Sequence, residues 1–371
     1  MIKFESGELQ KKKTKGSDIF TARIKIMGVG GAGCSILSRI YSQSWNHISF
    51  TAIDSNARKL EECAGIDKLQ LGESVTRGWG TGGDKEIARR IAEESEDKIR
   101  KSLTGVDLLF VVCGLGKGLG TGASPVILKI AKEIGCLSIG FFILPFNFEG
   151  EEKVAEAKDA LEKLWQMVDG AVVVSNNVLL NMENSNLEGI STPLSLKEAF
   201  MKIDEVFKLL ISSIGNILYT PGIISLDFAD IKSFLGRGRQ IIIAAGKGSG
   251  ERRIEEAVEQ VLYSPLWGKI PLKKTKGILL IIRSGENFEL KQLERIILSL
   301  KKQVNPSVPV NFGVYTENNL SDEISLTLML SSTRNIELEM GEEKSYQQNL
   351  KLDIYDDQDL DVPTFLRKQH N

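Results

Sequence analysis

The sequence predicts an α/β protein: a Rossmann-like parallel sheet, then one long central helix, then a second α/β domain. Three observations carry that prediction. Short apolar runs that end in glycine alternate with helical stretches over the first half of the chain. An apolar stripe at i, i+3, i+4 spacing then persists from Leu196 to Leu218. Beyond it a second set of strands and helices begins at Gln240.

Residues 1–21 are polar and lysine-rich (Lys11, Lys12, Lys13, Lys15) with no apolar signal core, and are expected to be a flexible arm. In the first domain, 22–194, strands are expected at 24–29, 48–53, 108–112, 137–144 and 171–174. Helices are expected at 34–41, 84–103, 126–134 and 151–167. The strands are continuous apolar runs, as a parallel sheet covered on both faces requires. Ala199, Phe200, Ile203, Val206, Phe207, Leu210, Ile211, Ile214 and Ile217 form the stripe of one helix over 195–220, stopped by Pro221 and Gly222. The second domain, 221–335, carries strands at 240–245, 278–283, 310–315 and 325–330 and helices at 253–263 and 291–302. Residues 336–360 read as an acidic polar linker, and 361–371 as a separate terminal segment.

Composition removes several functions. A net charge of −2 gives no global basic field for nucleic acid. No run of about 18 apolar residues is present to span a membrane. Cys34, Cys63, Cys113 and Cys136 have no CxxC spacing and read as free thiols of a reducing cytoplasm. Two histidines are too few for a histidine-rich metal site.

Glycine is concentrated where strands end. Gly28-Val29-Gly30-Gly31-Ala32-Gly33 follows the first strand. Gly114-Leu115-Gly116-Lys117-Gly118-Leu119-Gly120-Thr121-Gly122 follows the third. Such loops bring backbone N–H groups close to an anion at a helix start. Lys117 is followed by Gly118, so the Walker pattern is absent. Alone, the first run fits a dinucleotide enzyme equally well: Gly28, Gly30 and Gly33 satisfy GxGxxG, and Asp54 stands where a ribose acid would. Glycines that only permit tight strand–helix packing are a further reading. The second run, and a third at Gly78-Trp79-Gly80-Thr81-Gly82-Gly83, favour a triphosphate, whose charge must be surrounded from several sides.

From Arg23 onward the chain resembles the tubulin/FtsZ family. The 116–125 run is similar to that family's glycine signature. Pro145-Phe146-Asn147-Phe148-Glu149-Gly150, Asn176 and Asp227-Phe228-Ala229-Asp230 match further blocks in order. The resemblance implies a GTPase that binds GTP or GDP with Mg²⁺ on the phosphates. Its nucleotide would meet Gly28, Gly30, Gly31, Ala32, Gly33, Gly82, Gly83, Gly116, Lys117, Gly118, Leu119, Gly120, Thr121 and Gly122. The 145–150 loop with Glu149 would meet the ribose, Asn176 would stand at the next nucleotide loop, and Lys153 would take the place of the family's Arg. Guanine offers adjacent N1–H and N2 amino donors, which one carboxylate can accept together. The resemblance implies that Phe200 stacks on the base and that Asp204 and Glu205 read its edge. It also implies head-to-tail polymers for cell division, in which Asp227 and Asp230 enter the next subunit's site as catalytic acids. The alternative for this pair is a turn and a helix N-cap. Lys117, Leu119, Ser35, Lys153 and Ser225 depart from the family pattern, and these departures bear on rate rather than fold.

Asp361-Val362-Pro363-Thr364-Phe365-Leu366-Arg367-Lys368-Gln369 is an apolar-basic motif after the acidic linker. It resembles the family's C-terminal peptide, which binds membrane tethers of the actin-like FtsA type. The expected location is the cytoplasm, on the inner face of the membrane at the division site. A scaffold of the same fold with little hydrolysis, and a Rossmann oxidoreductase, are the alternative functions.

Overall fold

The structure is a computed structural model. It describes residues 22–333, apart from 43–44, 46, 182, 186–190, 194, 265–267, 270–271, 305–306, 318–319 and 321. The expected arm, the 336–360 linker and the 361–371 motif lie outside the described residues.

β1 (Ile24–Val29) runs directly into α1 (Gly30–Ile40), followed by β2 (Ile48–Asp54), α2 (Ala57–Glu61), β3 (Asp67–Gln70) and α3 (Glu73–Thr76). Then come α4 (Lys85–Glu94), α5 (Glu96–Leu103), β4 (Leu108–Gly114), α6 (Gly118–Glu133), β5 (Leu137–Leu144), α7 (Glu151–Trp165) and β6 (Gly170–Ser175). A short pair, β7 (Glu183–Ser185) and β8 (Ser191–Pro193), precedes α8 (Leu196–Tyr219). The second half holds α9 (Phe228–Leu235), β9 (Gln240–Ser249), α10 (Arg253–Leu262), β10 (Tyr263–Ser264) and β11 (Gly268–Lys269). It ends with β12 (Thr275–Ser284), α11 (Leu290–Lys301), β13 (Val310–Thr316) and β14 (Glu323–Ser332).

Ten strands form one sheet in the order β13-β12-β14-β9-β6-β5-β4-β1-β2-β3. The strands from β3 to β6 are all parallel and doubly wound, and the order reverses between β1 and β4. β9 joins β6 through one parallel register pair, Ala171 with Gln240. β14 is antiparallel to both β9 and β12. The two α/β halves therefore share a mixed sheet.

β4 shows why the strands read as unbroken apolar runs. Leu108, Phe110 and Val112 belong to the core on one face, and Leu109, Val111 and Cys113 to the core on the other. Burial on both faces leaves no place for polar alternation. α8 packs on the first face, with Phe207 against Phe141 at 4.7 Å and Phe110 at 6.3 Å between ring centres. Its start is fixed by a capping box between Ser195 and Glu198. β3 and the short helices α2 and α3 were not expected, and four further elements differ in their bounds. α1 and α6 begin inside the glycine runs, at Gly30 and Gly118. The 84–103 helix breaks at Ser95, which leaves helical geometry with φ −101° and ψ 14°. α9 begins within the segment expected to carry the catalytic acids. All four cysteines are buried and free.

Candidate functional site

Open α/β sheets bind ligands where the strand order reverses, outside the carboxyl ends of the strands. Here that point lies between β1 and β4 and opens into a cavity of about 920 Å³. Gly30, Gly31 and Ala32 of α1, Gly118, Leu119 and Gly120 of α6, and Thr81, Gly82 and Gly83 line it. The three glycine runs thus converge on one cavity. A Cβ on Gly30 would stand 3.0 Å from the Gly120 nitrogen, so the two helix starts touch. The Gly118 N–H bonds the Gly83 carbonyl at 2.8 Å and ties in the third run.

Neither α1 nor α6 has a side-chain N-cap, whereas Asn56, Asp84, Ser195 and Asp227 cap α2, α4, α8 and α9. The first-turn amides of α1, and those of α6 after Gly118, stand at the positive ends of their helix dipoles with no side-chain cap and suit an anion. Gly28, Gly33, Gly116, Thr121 and Gly122 do not line the cavity. They hold its frame: a Cβ on Gly33 would lie 2.3 Å from the Val112 carbonyl oxygen. The Thr121 hydroxyl accepts the Gly116 N–H at 2.9 Å. The packing role and the anion role are therefore divided between members of the same runs.

At the other end of the cavity stand Ser35, Ile36 and Arg39 of α1, Leu196, Phe200 and Ile203 of α8, and Phe146 and Asn176. Asn176 is buried, and its Oδ1 has no hydrogen-bond partner among the described residues. A buried acceptor left unsatisfied costs roughly 1–3 kcal/mol, so this atom is suited to a ligand donor. Glu149 and Lys153 line the cavity as an ion pair, with Glu149 Oε1 also accepting the Phe146 N–H at 2.8 Å.

Of the three residues expected to read a base, only Phe200 lines the cavity. Asp204, 4% exposed, accepts two bonds from Arg39, from Nε at 2.6 Å and from Nη2 at 2.9 Å. Glu205 is exposed on the next helical position and pairs with Lys202 at 3.2 Å. Arg39, which the sequence reading did not single out, does line the cavity, and its remaining N–H donors are not used by Asp204. Guanine presents O6 and N7 acceptors to such donors, whereas adenine presents a donor at N6.

Asp54 also lines the cavity. Burial raises its carboxyl above the ordinary carboxylate range, against hydrogen bonds from the Asn56 and Ser55 amides and the charge of Lys59. Asp54 and Glu149 are the acidic residues of the lining, and no group of three or more His, Cys, Asp or Glu able to hold a metal occurs among the described residues. Mg²⁺ in nucleotide sites is held largely by substrate phosphate oxygens and water, so it needs no all-protein cage here.

Asp227 and Asp230 are far from this cavity. They follow α8, whose first turn lines the cavity and whose 24 residues span about 36 Å. The two form the capping box of α9: each carboxylate accepts the other's backbone N–H at 3.0 Å. Asp230 Oδ1 also accepts from Asn311 Nδ2 at 2.7 Å. The capping reading thus holds for both residues.

The chain matches the GTPase domain of the Tubulin/FtsZ family over residues 23–184 and the FtsZ family C-terminal domain over 239–334. It is 32% identical over 322 residues to the cell division protein FtsZ of Aquifex aeolicus, covering 87% of this chain and 86% of that one. Identity to the cell division protein FtsZ of Buchnera aphidicola is 29% over 381 residues, covering 94% and 97%. A solved FtsZ dimer from M. jannaschii superposes with a TM-score of 0.71 at 30% identity, covering 84% of this chain and 88% of that one.

Proposed function

The chain belongs to the tubulin/FtsZ family and is a GTPase, and from that premise we propose that it polymerises head to tail for cell division and hydrolyses GTP at sites shared between subunits. One observation carries the shared site. The cavity's two acids are otherwise engaged, Asp54 buried among its own loop's amides and Glu149 in an ion pair with Lys153. Asp227 and Asp230 have no role in their own subunit's cavity and stand past the far end of α8. A second copy stacked on the first would bring them to the nucleotide. Gly30, Gly31, Ala32, Gly82, Gly83, Lys117, Gly118, Leu119 and Gly120 surround the phosphates, framed by Gly28, Gly33, Gly116, Thr121 and Gly122. Glu149, Lys153 and Asn176 take the ribose side, Phe200 stacks on the base, and Arg39, held by Asp204, reads its edge. Mg²⁺ arrives with the nucleotide.

The test is a mixing experiment. Asp230→Asn keeps an oxygen acceptor for the cap and removes the charge, so it separates catalysis from helix stability better than Asp230→Ala. The variant should bind GTP normally, enter polymers and lower the specific activity of wild-type protein mixed with it. Hydrolysis by the variant at the wild-type rate would remove the catalytic assignment.

The 361–371 motif, with Asp361, Val362, Pro363, Phe365, Leu366 and Arg367 as its contacts, docks on a membrane tether of the FtsA type and holds the polymer at the inner face of the membrane at the division site. No helix among the described residues is long and apolar enough to cross a membrane. Removing 361–371 should leave GTP binding and assembly intact and abolish recruitment to tether-bearing vesicles. Retained recruitment would end the tethering role.

A further inference from the structure

We propose that Lys117 reads the terminal phosphate of the bound nucleotide and sets the preference for triphosphate over diphosphate. This rests on the reading of the cavity as a GTP site and adds to it a residue that tells the two charge states apart.

Among the described residues four cations line the cavity: Arg39, Lys59, Lys117 and Lys153. Three are already committed. Arg39 is bonded to Asp204, Lys59 to Glu62 at 3.0 Å, and Lys153 to Glu149. The side chain of Lys117 has no acidic or hydrogen-bonding partner among the described residues. Among the described residues of the lining it is therefore the cation without a paired acid.

Its position fits a phosphate. Lys117 is the residue before α6, and that helix start carries no side-chain cap. Its aliphatic stem passes Gly83, with Cδ 3.6 Å from where a Cβ on that glycine would be. The ammonium thus belongs to the end of the cavity where the α6 start and the 78–83 run meet. Arg39 and Phe200 mark the other end. A nucleotide with its base between Phe200 and Arg39 would direct its last phosphate toward Lys117.

The surrounding backbone amides are partial dipoles that greet any phosphate, and they would hold the phosphates common to both nucleotides. A full positive charge on a flexible stem acts as a point charge and responds to the added negative charge of the third phosphate. Mg²⁺ carried by the nucleotide is the other charge able to make this discrimination, and its removal separates the two.

The experiment is a titration of nucleotide-free protein with GDP and with a non-hydrolysable GTP analogue, in Mg²⁺ and in EDTA. Wild type, Lys117→Ala and Lys117→Arg are compared. Lys117→Ala should lose about tenfold in triphosphate affinity, equivalent to ~1.4 kcal/mol. Its GDP affinity should stay within about twofold, and Lys117→Arg should keep most of the preference. Wild type should retain its preference in EDTA. An equal loss for both nucleotides, no loss for either, or a wild-type preference that vanishes in EDTA would overturn the assignment. Failure of wild type to bind either guanine nucleotide would instead overturn the GTP-site reading on which it stands. Lys117 is exposed, so the Ala variant should melt as wild type does. If it does not, the Arg variant and the EDTA arm still decide.

Discussion

Asp204 and Glu205 are neighbours in sequence, yet about 100° apart around a helix, so α8 can turn only one of them inward. Asp204 is the buried one, and it faces Arg39 rather than the cavity. Arg39 is 165 positions away, and nothing local announces their pairing. The sequence marks Asp204 as an acid of the site but marks neither its partner nor the direction it faces. Arg39→Ala would leave a buried carboxylate uncompensated. With Arg39 itself partly exposed, the cost should be roughly 1–3 kcal/mol in chemical denaturation. The same variant should narrow the difference between GTP and ATP binding. Retained discrimination would return base reading to Glu205. Asp54 supplies a second prediction at this scale. Its carboxyl is raised in the folded state by burial. Folding therefore binds its proton more tightly than the unfolded chain does. The contribution is fully present below the ordinary range near ~3.9 and is lost as pH rises through the raised folded value. Asp54→Asn keeps an acceptor for the Asn56 amide, which Asp54 Oδ1 now accepts at 2.9 Å. In melts of nucleotide-free protein, the variant's stability relative to wild type should rise as pH increases from about 4 through the raised folded value. A gain independent of pH would count against this account.

Helix starts were the least legible elements. Each glycine in a helix interior costs roughly 1 kcal/mol relative to alanine, so propensity argued for loops at 28–33 and 114–122 and placed the helices later. Packing decides otherwise: a Cβ on Gly120 would lie 2.3 Å from the Gly114 carbonyl oxygen, and only glycine lets α6 begin so close to its strand. β3 was missed because Asp67-Lys68-Leu69-Gln70 is an edge strand with no apolar run. α9 enters the sequence reading only through the N-cap alternative for Asp227 and Asp230, because its short stretch sits behind acids suited to chemistry. The large strands and α8 were legible because two-sided burial and a 3.6-residue stripe are written in side chains. The split among glycines makes a prediction about the α1 element. Gly31 lines the cavity, and a Cβ there meets nothing within 4 Å, whereas one on Gly33 strikes the β4 backbone. Gly31→Ala should melt at or slightly above wild type and lose about tenfold or more in nucleotide affinity, as a methyl group enters phosphate space. Gly33→Ala should lose roughly 1–3 kcal/mol of stability through overpacking. If Gly31→Ala binds nucleotide normally, the first helix start does not hold the phosphates.

At the scale of the whole molecule, apolar side chains are exposed at both ends of α8. Trp79, Phe148 and Leu196 line the cavity and are 86%, 71% and 66% exposed. Ile223, 68% exposed, stands at the far end, four residues before Asp227. Exposed apolar groups of this size mark contact surfaces when they cluster at a functional edge. A head-to-tail stack would cover both sets and deliver Asp227 and Asp230 to the neighbouring cavity in the same movement. Ile223 touches no part of its own cavity, and it can be changed without disturbing the capping box. Surface substitutions of that kind alter stability by about 0.5 kcal/mol or less. Ile223→Lys should therefore leave the melting temperature and GTP binding of the isolated protein unchanged. It should suppress the steeper-than-linear rise of GTP hydrolysis with protein concentration that wild type is expected to show, because a lysine in an apolar contact carries an uncompensated desolvation cost. Leu290→Lys, the same charge change at an exposed leucine of α11, controls for net charge and should behave as wild type. A rise in hydrolysis that survives Ile223→Lys would place the subunit contact elsewhere. Strict proportionality in wild type at all concentrations would show that each subunit completes its own site.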